Sequence, residues 1–482
     1  MVLFKKKSPA SSSKQMISRL YMNRETFFGL AILISALLLF TGCSKTNHSP
    51  ESASDKVSVT TEPQQSKKLG VISENYFNNK ELQSQLHPVV VVSKNGKGYA
   101  YIEPVGDLFR VVANGRSGKL YKQVGDITIN PDGSKVAYSA SENDDFRKVV
   151  ENNLEGPTFM DIGMPEFTPD GKHLVYTITQ KEETYVVVDH KVHYQYPMAQ
   201  GPLVTSDSRQ IVFSTKPAQD GTQQFIISDL TLQNRQVFNS CGETFAASED
   251  TSQIAVVCRE GDERMVKIID SKSRSVISTG KKHVGGKIAR LAFAPDKGSV
   301  AYTFLVDDNN RYLVYNGKEV KLPVGDEFMS YPIVFAKGEG VGIIAGMAVR
   351  FGFLNAFADK IKYEKSYGYI SDFIASRDGR HHAYLAIQVG GEDLQRLVVD
   401  GNEGPKFDRI VSPQFSPDGR LVAYRARQDG TRFLVISDLM GNVVSKHKNY
   451  DMVFQPVFSA DGKSIGYGVL EGNELWWRVE KL

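Results

Sequence analysis

At 482 residues the chain exceeds what one radially packed core supports, which excludes an ordinary single-core domain unless a repeat architecture lets the core grow by addition. Hydrophobic residues at 41% and charged residues at 23% exclude a largely disordered chain, and 41 glycines against 19 prolines suit many tight turns. The formal charge of +3 is concentrated at the start: Met1 to Gly42 holds six of 58 basic and one of 55 acidic residues, leaving 52 against 54, or −2, with no electrostatic footprint for nucleic acid.

Basic residues up to Arg24 precede an apolar run from Phe27 to Phe40 that stops at Thr41-Gly42-Cys43. A run of about 14 residues is short for a bilayer span and suits the core of a secretory signal. The small Thr-Gly pair before the cysteine resembles the lipobox of bacterial lipoproteins, with Phe40 standing where that group prefers Leu. The resemblance implies that residues 1–42 are a signal peptide and that Cys43 is lipidated and becomes the mature N-terminus. Ser44 rather than Asp after it implies, by Gram-negative sorting, an outer-membrane anchor facing the periplasm. An uncleaved anchor is the alternative reading, and Met16 and Met22 are alternative starts. Residues 43–68 are polar and read as a flexible tether, with a reach of about 25–30 Å.

From there the chain keeps a beat. Aligning every stretch on an Asp-Gly-like corner gives ten units, with corners at Asn95, Asp132, Asp170, Asp207, Asp250, Asp296, Glu339, Asp378, Asp418 and Asp461, spaced 37 to 46 residues apart. The strongest copies carry Asp132-Gly133, Asp170-Gly171, Asp418-Gly419 and Asp461-Gly462, as in QFSPDGRLVAYRA from Gln414. Proline pre-sets the first corner, aspartate suits the second, and glycine takes the positive φ that follows. Between corners recur apolar strands such as Tyr185 to Asp189, Phe225 to Asp229 and Phe433 to Asp438. Each unit therefore reads as four strands. No segment holds an apolar spacing of 3.6 residues, so the repeat region is expected to be all-β, with a helical turn or two only between Glu74 and Gln85.

The pattern F-[ST]-P-D-G-x-x-[IVL]-A-Y resembles the WD40-like repeats of bacterial envelope proteins, the group that includes the TolB propeller. It implies a β-propeller over residues 69–482, either one closed ring of about ten four-stranded blades or two smaller propellers. Leu475 to Glu480 reads as a third strand without a fourth, and Leu69 to Ser73 is expected to supply the missing one, closing the ring.

Chemistry is sparse. The corner aspartates recur for turn geometry and do not read as an active site. His190 and His193, and His381 with His382, lack a recognisable third ligand and read as surface or satisfied side chains; adjacent strand residues face opposite ways, so His381 and His382 are not expected to chelate one ion together. Cys241 and Cys258 flank one corner. Pairing Ala247 with Ile254 sets Cys241 opposite Glu260, two positions off, so the sequence leaves a disulfide and two free thiols both open. Trp476 and Trp477 point to opposite faces, one for packing and one near the closure. Lys281-Lys282-His283 reads as a solvated loop. G-x-S-x-G, H-E-x-x-H, P-loop and EF-hand strings do not occur, and neither a cofactor nor a metal is expected.

These features point to a non-catalytic, membrane-anchored periplasmic propeller that binds envelope protein partners. The competing class is a lyase or hydrolase of envelope polysaccharide with its site in the central channel, and the sequence does not decide between them.

Overall fold

The structure is a computed structural model that describes residues 60–61, 63–79, 89–143, 146–194, 196–219, 221–294, 297, 299–322, 333–334, 340–345, 350–355, 360–388 and 393–482, all within one compact unit, Val57–Leu482. Cys43, the signal segment and the corners at Asp296 and Glu339 lie outside the described residues.

Among the described residues the architecture is ten antiparallel sheets in chain order, spanning residues 90–117, 123–159, 161–193, 198–239, 241–284, 287–321, 333–366, 369–407, 409–447 and 452–481, numbered sheets 1 to 10 below. Within each, the main strands pair with their neighbours in chain order, as a four-stranded blade requires; in sheets 3 and 10 the first strand is split into two pieces that both pair the second, and in sheet 5 His283–Val284 pairs back on Glu263–Asp270. The only described helix is α1, Glu74–Asn78, capped by the Ser73 side chain, which accepts from the Asn75 amide. No described helix is long and apolar enough to cross a membrane.

Second and third strands are buried on both faces. Val136–Ser141 has no exposed side chain, and Leu434, Val435 and Ile436 alternate faces yet are all within 1% of complete burial. A sheet with two apolar faces needs a neighbour on each side. The structure supplies them in series. Ala100 and Val111 of sheet 1 join Tyr138 and Val150 of sheet 2 in one apolar cluster. Comparable clusters bridge each later pair up to sheets 6 and 7. Sheet 7 meets sheet 8 where the Tyr384 hydroxyl donates to Glu364 at 2.9 Å, and clusters again join sheets 8, 9 and 10. Leu470 and Leu475 of sheet 10 then pack with Tyr99, Tyr101 and Ile102 of sheet 1, which returns the series to its start.

The fourth strand of sheet 10 comes from upstream. Gln65–Val71 pairs antiparallel with Glu474–Lys481, placing Lys67 opposite Trp477 and Val71 opposite Glu474. This strand lies about four residues earlier than the Leu69 to Ser73 expectation, and it enters the stretch read as tether. An outer edge strand needs no apolar side chain, and Gln65 to Lys68 are all exposed, so composition alone hid it. Ser73 is taken by the helix cap instead. Upstream again, Thr60–Thr61 pairs in parallel with Val443–His447, the outer strand of sheet 9.

Ile72, fully buried, sits between the two ends of this series. Ile72→Ala is expected to lower the unfolding free energy of a soluble form by about 2–5 kcal/mol, as core truncations do, measured as a lower urea midpoint with one transition preserved.

Candidate functional site

The corners form the first recurrent polar feature. The hydroxyl of Thr168, Thr205, Ser248, Ser376, Ser416 or Ser459 donates to the aspartate two residues on at 2.6–2.9 Å. The same aspartate oxygen accepts from the backbone amide two residues further, at 3.1–3.2 Å. These bonds, with the Thr168 hydroxyl foremost, lower the Asp170 pKa to about 2. Asp418 and Asp461 are lowered for the same leading reason, while Asn130 stands in for the hydroxyl residue before Asp132. Gly133, Gly171, Gly419 and Gly462 hold φ between 69° and 80°. Gly133 also lies so close to Gly98 of the preceding corner that a side-chain carbon there would clash with its backbone. Where glycine is missing, Ser208 and Thr251 adopt the positive φ and use their hydroxyls on the preceding corner, accepting from Asp170 N and Ser206 N at 2.9 and 2.8 Å. The corners are thus tied to one another, and their carboxylates are consumed internally.

A second feature escaped the sequence reading. Eleven residues before the corner aspartate stands an aromatic: Tyr121, Phe159, Tyr196, Tyr367, Phe407 and Tyr450, before Asp132, Asp170, Asp207, Asp378, Asp418 and Asp461. It enters each sheet from the one before and packs on the aromatic of the second strand, as in Tyr121 on Tyr138 and Tyr367 on Tyr384, with centroids 6.3 and 6.0 Å apart. Two residues earlier a lysine recurs: Lys119, Lys365 and Lys448. Lys119 Nζ and the Tyr121 hydroxyl both donate to Glu155 at 2.8 Å; Lys365 and Tyr367 do the same to Glu403 at 2.7 and 2.8 Å. Those bonds, led by Lys119, hold the Glu155 carboxyl near 2. The spacing was readable; its meaning needed the fold, because Glu155 lies in the next sheet's outer strand, 34 residues from Tyr121.

Histidines occupy the same junctions. His190 meets the Tyr176 hydroxyl at 3.2 Å, His283 meets Tyr302 at 2.8 Å and Glu319 at 3.1 Å, and His447 contacts Tyr467 and Glu480. His283 is therefore almost fully buried rather than part of a solvated loop. His381 and His382 reach the two oxygens of one carboxylate, Asp400, at 2.6 and 3.2 Å; the strand begins only at His382, so His381 is not bound by strand alternation. Among the described residues no group of three His, Cys, Asp or Glu side chains is set to hold a metal.

Cys241 and Cys258 are directly opposed and disulfide-bonded, Cα atoms 3.9 Å apart. The expected two-residue offset is absorbed by a bulge between Cys241 and Phe245, where Gly242 holds φ 118°. Both tryptophans pack: Trp477 lies over Gly96 of sheet 1, and Trp476 against the core shared by sheets 9 and 10.

The junction carboxylate is present in some sheets and absent from others. Cross-strand register runs from Tyr138 through Val150 to Glu155 in sheet 2, from Tyr302 through Val314 to Glu319 in sheet 6, and from Tyr384 through Val398 to Glu403 in sheet 8. The equivalent register runs from Tyr176 through Val187 to Val192 in sheet 3 and from Tyr424 through Val435 to Lys446 in sheet 9. In sheet 4 it runs from Phe213 through Ile226 to Val237, and Tyr194 stands where Lys119 stands. The hydroxyl, carboxylate and lysine are all replaced. A cleft of about 390 Å³ opens there, lined by Lys191, His193, Tyr194, Tyr196, Phe213, Gln233 and Arg235 among others.

The loops joining second to third strands, and those joining sheets, share the rim opposite the corners. In sheets 1 and 2 this rim exposes Leu108, Leu120, Phe146 and Met160, the last 71% exposed. Arg147 pairs with Phe159, which sets Phe146 and Met160 side by side, and Lys119 reaches Glu142 at 2.7 Å, joining the two sheets' loops.

No family model matches the chain, and no curated protein matches it. Solved structures similar to it include a eukaryotic initiation factor (11% identity, 78% of this chain and 97% of that one, TM-score 0.41), TolB from Acinetobacter baumannii (17%, 58% and 77%, 0.28) and the Dos1 propeller (12%, 73% and 90%, 0.36). Likenesses this slight carry no inference about what the chain binds.

Two outcomes follow from the junctions. Burial lowers the His382 pKa, but its hydrogen bonds to the Asp400 and Glu364 carboxylates outweigh it and leave the pKa raised above 6.5; burial lowers that of His283. His382→Asn should therefore destabilise more at about pH 5.5 than at about pH 8.5, and His283→Asn more at about pH 8.5, read from urea midpoints at both. Replacing both Cys241 and Cys258 by serine, which opens a loop of 17 residues, should cost about 2–4 kcal/mol in the same assay without reductant.

Proposed function

We propose that the chain is a membrane-anchored recognition protein, lipidated at Cys43, whose propeller offers the rim of sheets 1 and 2 to an envelope protein partner. The observation that carries the reading is the exposure of Leu108, Leu120, Phe146 and Met160 at one rim, with Phe146 beside Met160. Isolated exposed apolar residues are common, whereas a set joined across two repeats and bordered by the charged Lys119, Glu142 and Lys148 has the make-up of an interface core with a polar rim. The lipobox-like sequence supports the anchor, and Ser44 supports an outer-membrane address facing the periplasm.

The test pairs two variants in cells. Cys43→Ala is expected to abolish palmitate labelling and release the protein from membranes. Phe146→Asp with Met160→Asp is expected to keep labelling and the thermal melt, while lowering recovery of a cross-linked partner by tenfold or more, about 1.4 kcal/mol or above. Undiminished cross-linking by the rim variant would refute the interface, and unlabelled, soluble wild-type protein would refute the anchor.

A further inference from the structure

The cleft between sheets 3 and 4 lacks the internal neutralisation found at the junctions entering sheets 2 and 8. At the junctions entering sheets 2 and 8, each cation has its carboxylate: Lys119 and Lys148 on Glu155, Lys365 and Arg396 on Glu403. At the junction entering sheet 4, Val237 occupies the carboxylate's position, and neither Lys191 nor Arg235 makes an ion pair among the described residues. Lys191 is exposed at the mouth. Arg235 lies over the Tyr196 ring, 5.3 Å from its centroid, and donates to the Leu232 carbonyl at 3.2 Å, which fixes its guanidinium beside the opening. Burial, then the neighbouring Lys191, lower the His193 pKa against the smaller raising effect of Asp229, and so disfavour its charged form.

The walls state what else the site accepts. Tyr194, about half exposed, is propped edge-on by Tyr185, with centroids 5.1 Å apart, and Tyr196 packs on Phe213. Flat rings of this kind take the C–H face of a saturated ring, while the Tyr194 hydroxyl, Thr231, Gln233 and His193 offer donors and acceptors to ring hydroxyls. A volume of about 390 Å³ is in the range of small-ligand sites. The comparable cleft between sheets 7 and 8 has its charges satisfied internally, by Tyr384 on Glu364 and by Lys365 and Tyr367 on Glu403, which leaves no unpaired cation of this kind to offer a ligand.

We propose that this cleft binds a carboxylate-bearing sugar, a uronic acid unit of an acidic saccharide, with Lys191 and Arg235 on the carboxylate and Tyr194 and Tyr196 under the ring. The site lies on different sheets from the apolar rim and does not depend on it.

Calorimetric titration of the soluble propeller with glucuronic acid and a glucuronate-containing disaccharide tests this. Expected are saturable binding that weakens with salt, binding of glucose weaker by about tenfold or more, and a similar loss in Lys191→Gln and in Arg235→Gln. Val237→Glu, which introduces the carboxylate found in sheets 2, 6 and 8, should abolish uronate binding while keeping the melting temperature. Phe146→Asp should leave it unchanged. No saturable uronate binding, equal binding of glucose, or competition by inorganic phosphate at equal affinity would each overturn the proposal, as would undiminished binding by Lys191→Gln.

Discussion

The structure depends on one constraint: its sheets are apolar on both faces. Strands such as Val136–Ser141 and the core of Leu421–Gln428 bury alternate side chains in opposite directions, so every sheet must be covered twice. A linear stack would leave two bare ends, each exposing apolar area worth about 25 cal/mol per Å². The contact of Leu470 and Leu475 with Tyr99 and Tyr101, and the loan of Gln65–Val71 to sheet 10, cover both ends at once.

That arrangement places two kinds of polar chemistry between neighbours. Corner aspartates spend their lone pairs on the preceding hydroxyl and the following amides, which makes each corner rigid enough to abut the next. The junction hydroxyls of Tyr121, Tyr384, Tyr367, Tyr176, Tyr302 and Tyr467 find partners in Glu155, Glu364 and Glu403, or in His190, His283 and His447. Most titratable groups of the described junctions are thereby structural. Function is then sought in exposed apolar loops and in the cleft where Lys191 and Arg235 have no ion-pair partner among the described residues.

Departures from a repeat are informative because the repeat supplies its own control. The same register position carries glutamate in sheets 2, 6 and 8 and valine in sheets 3 and 4, so junctions with and without the carboxylate are seen side by side in one molecule. The disulfide makes a similar point: sheet 5 fits the common register at Ala247 and Ile254 and leaves it at Cys241, where a bulge brings two sulfurs together.

The sequence by itself determined the strands, the eight described corners and their beat, because those rest on bonds within a few residues: hydroxyl to aspartate across two positions, glycine at positive φ, alternating apolar side chains. It also implied that an upstream strand completes the last sheet, though an exposed edge strand such as Gln65 to Lys68 carries no apolar signature, and its start was misplaced. Only the tertiary structure decided that Tyr121 reaches Glu155, that His381 and His382 share Asp400, that Cys241 opposes Cys258, and that Lys191 and Arg235 face an opening without a carboxylate. Those outcomes turn on register shifts and on which sheet lies beside which, and neither is encoded in any short stretch of residues.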